Sequence, residues 1–91
     1  MKLPVPIEDD QFTVYTANWC PSCAKVKTFL ERSPFQIKYY NIEDYGTVQD
    51  GIKALRKHSK GMEKQTTIPI IFYRNVLIGG YEELKTFCYY V

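Results

Sequence analysis

The sequence predicts a single α/β domain whose elements follow the order βαβαββα. Short runs rich in β-branched and aromatic residues alternate with segments whose apolar residues recur at helical spacing. The first two predicted strands are connected through a helix, which implies a parallel pair with a right-handed crossover. Only two residues separate the last two strands, which implies an antiparallel hairpin. A chain of 91 residues is long enough for one such domain with one hydrophobic core.

The first strand, helix and strand form the N-terminal half of this pattern. Val26, Phe29 and Leu30 lie at positions i, i+3 and i+4, which predicts that they form the buried stripe of the first helix. Pro34 ends that helix, because the residue before a proline disfavours helical backbone. The predicted ranges are 12–16 for the first strand, 24–32 for the helix and 36–42 for the second strand.

A second amphipathic helix follows over residues 47–59. Val48, Ile52 and Leu55 recur at i, i+4 and i+7, so one side of this helix is apolar. Gly61 suits its exit, because glycine accepts the left-handed backbone that often ends a helix.

The C-terminal part is predicted to be a hairpin followed by a final helix. Arg74 and Asn75 form the two-residue turn, with a positive φ expected at Asn75. Gly79 and Gly80 interrupt the strand pattern before the helix begins. The strands are predicted over residues 68–73 and 76–78, and the buried stripe of the helix consists of Leu84, Phe87, Cys88 and Val91.

Residues 1–11 are predicted to form an extended arm that precedes a domain over residues 12–91. The arm contains Pro4, Pro6 and three successive acidic residues, and we expect it to be ordered only if it packs against the domain.

The composition is that of an ordinary globular protein, with 45% hydrophobic and 24% charged residues. A formal charge of +2 is too small to indicate binding to nucleic acid or membranes. Three cysteines are too few for a disulfide-stapled secreted scaffold, and no signal peptide or membrane-spanning run is present. We therefore expect a soluble protein of a reducing compartment, the cytoplasm. We further expect it to be a monomer, without a bound metal or cofactor.

Cys20 and Cys23, separated by Pro21 and Ser22, lie where the first strand meets the first helix. Residues three apart on a helix share one face, so the two sulfurs can meet and form a disulfide. Pro21 suits the first helical turn, where its missing N–H costs nothing. Cys20 then lies at the helix N-terminus, where free N–H groups and the helix dipole favour a thiolate. We expect Cys20 to be the nucleophile and Cys23 to be the resolving thiol.

Two other roles for the cysteine pair stay open. A zinc site would need two further ligands, for which only Cys88 and His58 remain, each isolated in the chain. A static disulfide is the second possibility, although a bridge across so short a loop stabilises little. A redox-active dithiol is the favoured interpretation. Cys88 lies on an apolar stripe and is interpreted as a small buried residue.

The chain resembles a glutaredoxin, of the thioredoxin superfamily, in three motifs that occur in the family's order. The dithiol is of the CPxC type, and Trp19 directly before Cys20 is a thioredoxin-like feature. The resemblance covers residues from 12 to the C-terminus. It implies a thioredoxin-like fold, with a mixed four-stranded sheet flanked by three helices, and a cis peptide bond before Pro69. The other two motifs are Thr67-Ile68-Pro69, and Gly79-Gly80 followed by Tyr81-Glu82-Glu83-Leu84.

The same resemblance implies the roles of the site residues. Cys20 corresponds to the family nucleophile and Cys23 to the resolving thiol. The main chain of Ile68 corresponds to the position that pairs with the cysteinyl part of glutathione, in the manner of an added strand. The turn at residues 80–83 corresponds to the family's anion site, in which backbone N–H groups at a helix N-terminus receive the γ-glutamyl carboxylate. The predicted substrate-binding residues are Trp19, Pro21, Ser22, Lys64, Gln65, Thr67, Ile68, Gly80, Tyr81, Glu82 and Glu83.

Two positions depart from the family pattern. Ala17 stands where the family commonly has a lysine that helps to hold the glycyl carboxylate, and Ser22 stands where it often has a tyrosine. Lys64 and Gln65 are the candidates to replace the missing contact.

The resemblance implies a thiol–disulfide oxidoreductase that reduces protein disulfides or glutathione mixed disulfides, with glutathione as co-substrate. Two alternatives stay open. Trp19 and Ala17 favour a thioredoxin-like electron donor fed by a flavoprotein reductase, for example to a ribonucleotide reductase. A dimer that binds an iron–sulfur cluster together with glutathione is the other, and Pro21 disfavours it.

Basic residues surround the predicted site and one helix. Lys25 and Lys27 add positive charge in the first turns after Cys20, and spacing alone leaves open which of them points towards the sulfur. The second helix carries a larger group that is either a solvated surface or attracts anionic glutathione or an acidic protein. This group consists of Lys53, Arg56, Lys57 and Lys60 around His58, which is assigned no catalytic role.

Overall fold

The computed structural model describes residues 2–89 and confirms the predicted order of elements. Short 3₁₀ turns at Ile42–Asp44 and Met62–Lys64 lie on either side of the second helix. Within residues 2–89, no helix combines the length and the apolar character needed to cross a bilayer. The elements are β1 (Gln11–Thr16), α1 (Pro21–Leu30), β2 (Gln36–Asn41), α2 (Val48–His58), β3 (Ile70–Tyr73), β4 (Val76–Gly79) and α3 (Tyr81–Tyr89).

The four strands form one mixed sheet in the order β2-β1-β3-β4. β1 runs parallel to β2, with Val14 opposite Tyr39, and antiparallel to β3, with Val14 opposite Ile71. β3 and β4 are the antiparallel hairpin. The mixed four-stranded sheet with three helices, expected from the resemblance, is confirmed.

The helices cover the two faces of this sheet unequally. Alternate residues of a strand point to opposite faces, and in β1 this places Phe12 and Val14 on one face and Tyr15 on the other. The first face packs against α1 and α3 and is called the α1/α3 face. The second packs against α2 and is called the α2 face. The buried residues of the α1/α3 face are Phe12, Val14, Val26, Leu30, Ile71 and Leu84, and those of the α2 face include Tyr15, Ile42, Ile52, Leu55, Met62, Ile70 and Phe72.

The N-terminal arm packs against the α2 face. Leu3 is buried in the same cluster as Tyr15, and the Tyr15 hydroxyl donates a hydrogen bond of 2.7 Å to the Pro4 carbonyl. Burial, with a smaller contribution from Tyr40, raises the pKa of the Tyr15 hydroxyl above its ordinary value. At the far end of the arm, Asp10 forms an ion pair with Arg74. The arm is therefore ordered by contacts with both the core and the hairpin turn.

Several helix and strand boundaries differ from the predicted ranges by one to three residues. The apolar stripe predicted α1 from residue 24, whereas the helix begins at Pro21 with Cys20 as its N-terminal cap, in agreement with the predicted place of Pro21 in the first helical turn. β3 begins at Ile70 rather than at residue 68, because Pro69 has no N–H to contribute to the ladder and Ile70 is the first residue paired with β1.

The hairpin turn also differs in detail. The positive φ of 55° belongs to Arg74, whereas the sequence predicted it at Asn75. The guanidinium of Arg74 is held by Asp10, and the Asn75 amide donates to Glu8 at 3.2 Å, so contacts with the arm accompany this turn conformation. The predicted burial of Val91 lies outside the described residues.

Candidate active site

Cys20 caps the N-terminus of α1. Its backbone is extended, with φ −113° and ψ 97°, and its carbonyl accepts the N–H groups of Cys23 at 3.1 Å and Ala24 at 3.3 Å. Its sulfur accepts the N–H of Cys23 at 3.2 Å, in the way that serine or aspartate oxygens cap a helix. A hydrogen bond to the sulfur and the positive end of the helix dipole both stabilise a thiolate there.

The two sulfurs of the pair meet, as the spacing predicts. Cys20 and Cys23 form a disulfide, with their Cα atoms 5.2 Å apart. Cys20 is half-buried, whereas Cys23 lies in the protein interior with 4% of its surface exposed. An approaching sulfur therefore reaches Cys20 more easily than Cys23, which agrees with the predicted roles of the two residues.

The loop before Cys20 is held by three hydrogen bonds that form a closed ring. The Asn18 N–H donates to the Glu43 carboxylate at 2.6 Å, and the Glu43 N–H donates to the Asn41 side chain at 2.9 Å. The Asn41 amide then donates to the Asn18 side chain at 2.8 Å. Next to this ring, Trp19 has a left-handed backbone with φ 57° and a side chain that is 99% exposed. The ring of hydrogen bonds thus fixes Asn18, the residue directly before Trp19.

The second part of the site is the loop that leads into β3. The peptide bond between Ile68 and Pro69 is cis, as the resemblance implies. Pro69 is buried, and the main-chain N–H and C=O of Ile68 form no hydrogen bond with any part of the described chain, residues 2–89. These two groups are free to bind an extended ligand. The Gln65 amide donates to the Thr67 carbonyl at 2.9 Å, within the same loop.

The third part is the start of α3. The Gly80 carbonyl accepts the first helical hydrogen bond, from the Leu84 N–H at 3.0 Å. The Glu83 carboxylate accepts the Gly80 N–H at 2.8 Å, which is the reciprocal half of a capping box. Gly79 has φ 127°, a conformation that residues with a Cβ rarely adopt. One N–H group of the predicted anion site is therefore already satisfied by the protein itself.

These parts meet in a cavity of about 210 Å³. Ser22, which lies between the two cysteines, shares this cavity with the cis-proline loop and the start of α3. Of the predicted substrate-binding residues, Trp19, Pro21, Lys64 and Gln65 do not line it. The lining residues are Ser22, Lys25, Thr67, Ile68, Pro69, Gly80, Tyr81, Glu82 and Glu83.

Lys25 lines the cavity but is not among the predicted substrate-binding residues. Lys27 instead lies over the Tyr39 ring, 5.5 Å from its centre. The helical spacing of Ser22 and Lys25, three residues apart, was the available signal, because such residues share a helix face. Lys25 is thus the basic side chain of α1 that faces the cavity.

The third cysteine is packed away from this cavity. Cys88 is half-buried against the cluster of the α1/α3 face. Burial raises the pKa of its thiol, so less thiolate is present at neutral pH. Its predicted interpretation as a small buried residue agrees with this environment.

Comparison with known proteins supports the same chemistry. The family model for glutaredoxin matches residues 12–78. Glutaredoxin-2 from Schizosaccharomyces pombe is 34% identical over 79 residues, which are 87% of this chain and 68% of that protein.

Solved structures of glutaredoxins have the same fold as this chain. The crystal structure of glutaredoxin 1 from Francisella tularensis superposes with a TM-score of 0.76 at 28% identity, over 88% of this chain and 93% of the other. The complex of buckwheat glutaredoxin with glutathione has a TM-score of 0.70 at 18% identity, over 87% of this chain and 68% of the other, and so shares the fold. With its CxxC pair at the start of α1, the chain is a glutathione-dependent thiol–disulfide oxidoreductase that belongs to the glutaredoxin family.

Proposed function

We propose that the protein reduces both mixed disulfides between glutathione and proteins and disulfides within proteins. Cys20 is the attacking sulfur and Cys23 the resolving one. The observation that carries this assignment is the capping of α1 by the half-buried Cys20, because the first-turn N–H groups that the sulfur caps also stabilise a thiolate.

The reaction on a glutathione mixed disulfide needs one cysteine. The Cys20 thiolate attacks the glutathione sulfur, a Cys20–glutathione disulfide forms, and the protein substrate leaves as a thiolate that takes up a proton. A second glutathione thiolate attacks the glutathione sulfur of this intermediate. Oxidised glutathione is released and the Cys20 thiolate returns.

The reaction on a protein disulfide needs both cysteines. Cys20 attacks one substrate sulfur, and the other leaves as a thiolate. Cys23, deprotonated, then attacks the Cys20 sulfur, so the substrate is released with two thiols and the enzyme holds the Cys20–Cys23 disulfide. This is the disulfide present in the structure. Two glutathione molecules reduce it and leave as oxidised glutathione.

The cavity offers groups for each end of glutathione. The free main-chain groups of Ile68 match the cysteinyl amide and carbonyl. Glutathione's γ-glutamyl end carries a carboxylate and an ammonium group. The N–H groups at the start of α3 suit the carboxylate, and the carboxylates of Glu82 and Glu83 suit the ammonium.

Lys25 supplies the cation for the remaining glycyl carboxylate. It lines the cavity, whereas Lys64 does not and Gln65 is bound to its own loop. The contact that the family commonly draws from a lysine at the position of Ala17 thus comes from the helix instead. The buckwheat glutaredoxin, which shares this fold, forms a complex with glutathione.

The protein is further proposed to act as a monomer in a reducing compartment such as the cytoplasm. One chain supplies every group used above, and recycling of the dithiol requires a pool of reduced glutathione.

The experiment is the Cys23→Ser variant incubated with oxidised glutathione. We expect mass spectrometry to find one glutathione on Cys20, and we expect the variant to keep its activity on small glutathione mixed disulfides. It should lose the reduction of protein disulfides, because these need the resolving thiol. Cys88→Ser is the matched control and should behave like the unchanged protein. Absence of the adduct would contradict the assignment.

A second comparison separates this function from the alternatives. Turnover with glutathione and its reductase should exceed turnover with a thioredoxin reductase. The reverse result would favour the electron donor fed by a flavoprotein reductase. A coloured protein after anaerobic purification would instead favour the iron–sulfur dimer.

A further inference from the structure

A second, larger groove opens beside the active-site cavity. Its volume is about 650 Å³, three times that of the cavity. It runs along the outer side of α1 to the start of α3, and it shares Lys25 and Tyr81 with the cavity. The two spaces therefore adjoin at these two side chains. The groove is lined by Ala24, Lys25, Thr28, Phe29, Arg32 and Tyr81.

The floor of the groove is aromatic. Phe29 and Tyr81 meet edge to face, with ring centres 6.2 Å apart, and both are only partly buried. Rings in this arrangement offer an apolar surface to a further side chain. Lys85 lies over the Tyr81 ring at 4.8 Å, and its charge is paired with Glu82 at 3.0 Å.

The rim of the groove is basic. Lys25 and Arg32 line it, both are exposed, and within residues 2–89 neither forms an ion pair with an acidic side chain. None of the lining residues is acidic. A ligand that carries a carboxylate and an apolar side chain complements both parts of this surface.

The cavity alone does not accommodate a protein substrate. In the proposed function its lining groups bind glutathione, and a protein carries further residues on both sides of its reactive cysteine. The chain on either side of a substrate cysteine must therefore leave the cavity, and the groove is the adjoining space past Tyr81.

We propose that this groove binds the segment next to the reactive cysteine in the protein substrate, and that the segment carries an acidic residue together with an aromatic or aliphatic one. The proposal rests on the proposed function, because it concerns which protein disulfides Cys20 receives. Arg32, which lines the groove but not the cavity, attracts the carboxylate, and Phe29 and Tyr81 contact the apolar side chain. Glutathione itself does not need the groove.

The test uses two synthetic peptides, each with one cysteine in a mixed disulfide with glutathione. In the acidic peptide, an Asp and a Phe flank the cysteine on each side. In the basic peptide, Lys replaces Asp at both positions. The small mixed disulfide of glutathione with 2-mercaptoethanol is the third substrate. We expect the KM for the acidic peptide to be about tenfold lower than that for the basic one at low salt, since each exposed ion pair changes affinity by a few-fold. High salt should reduce this preference.

Arg32→Glu is the diagnostic variant, and Lys27→Glu is its matched control. Both reverse one positive charge, Lys27 on α1 and Arg32 just after its end, but Lys27 lies over Tyr39 and outside the groove. Arg32→Glu should abolish the preference for the acidic peptide by raising its KM, with kcat and the reduction of the small substrate unchanged. Lys27→Glu should keep the preference within about twofold.

The outcomes separate the two proposals. The groove proposal is overturned if the unchanged protein shows no preference, or if Lys27→Glu removes the preference as completely as Arg32→Glu, which would indicate a general electrostatic field. Failure of the proposed function would be different, because the unchanged protein would then reduce none of the three substrates.

Discussion

The helices on the two faces of the sheet begin in different ways. On the α2 face, the N-terminus of α2 is closed by an ordinary cap, in which Thr47 accepts the Asp50 N–H at 3.1 Å. On the α1/α3 face, α1 is capped by a cysteine, and α3 begins at Tyr81, directly after Gly80, beside the active-site cavity. The two helix ends that carry chemistry thus belong to one face. The comparison of α1 with α2 shows that a cysteine in the capping position places a sulfur at the helix N-terminus, whereas a threonine there supplies only the cap.

The largest effect on the α1/α3 face should come from Cys20→Ser. Without the nucleophile, turnover should fall by about a thousandfold or more, on every disulfide substrate. The free energy of unfolding of the reduced protein should change by less than about 0.5 kcal/mol, because the hydroxyl still caps the helix. Initial rates and urea unfolding of the reduced protein measure both. Residual activity within tenfold of the original would disprove the role of Cys20.

A pair of leucine substitutions compares the two faces directly. Leu55 on α2 and Leu30 on α1 are both almost completely buried, with 1% and 0% exposure. Each change to alanine should lower the free energy of unfolding by about 2–5 kcal/mol. At a temperature where both variants are folded, only Leu30→Ala should also lose activity, because α1 positions Cys20. Equal loss of activity in both variants would show that the α1/α3 face is no more important for activity than the α2 face.

Tyr15→Phe tests the attachment of the arm to the α2 face. Loss of the hydrogen bond to Pro4 should cost about 1 kcal/mol of stability, without an effect on turnover. The raised pKa of Tyr15 means that the folded protein holds the hydroxyl proton more tightly than the unfolded chain. This contribution to stability is complete below about pH 10 and is lost as the pH rises further. The variant should therefore lose less stability than the unchanged protein in this alkaline range, measured by urea unfolding.

Glu43→Ala should give the smallest effect, confined to the loop before the nucleophile. The ring that joins Asn18, Asn41 and Glu43 would open, and turnover should fall about two- to fivefold, with little change in stability because all three residues are at the surface. Glu43→Gln keeps an oxygen acceptor and should restore the rate. Asp44→Ala, in the same turn, is the control. If Glu43→Gln is as slow as the alanine variant, charge rather than hydrogen bonding is responsible.

Local patterns were sufficient to predict most of the fold. The stripe of Val26 and Leu30 and the spacing of the cysteines depend on residues close in sequence, and both are as expected. The prediction of a positive φ at Asn75 was wrong, because contacts with the distant Asp10 and Glu8 accompany the turn at Arg74 and Asn75. Patterns in the local sequence cannot predict contacts between residues that are so far apart in the chain.

The site was predicted less completely for the same reason. Its lining residues in the motifs could be named, but the direction of Lys25 and the ring around Asn18 depend on how elements pack. The hydrogen bond from the Gln65 amide to the Thr67 carbonyl likewise depends on how the loop folds. The basic group on α2 is also partly structural, because Arg56 donates to the carbonyls of Met62 at 3.3 Å and Gln65 at 3.1 Å.

The exposure of Trp19 has a practical consequence for spectroscopy. Trp19 is the chain's single tryptophan, and its ring is already in water when the protein is folded. Its fluorescence emission should therefore shift little when the protein unfolds, and an unfolding curve recorded from it would miss the transition of the core. Circular dichroism follows that transition instead. The indole signal reports events at the neighbouring Cys20, so one sample yields two independent optical records, one of the scaffold and one of the site.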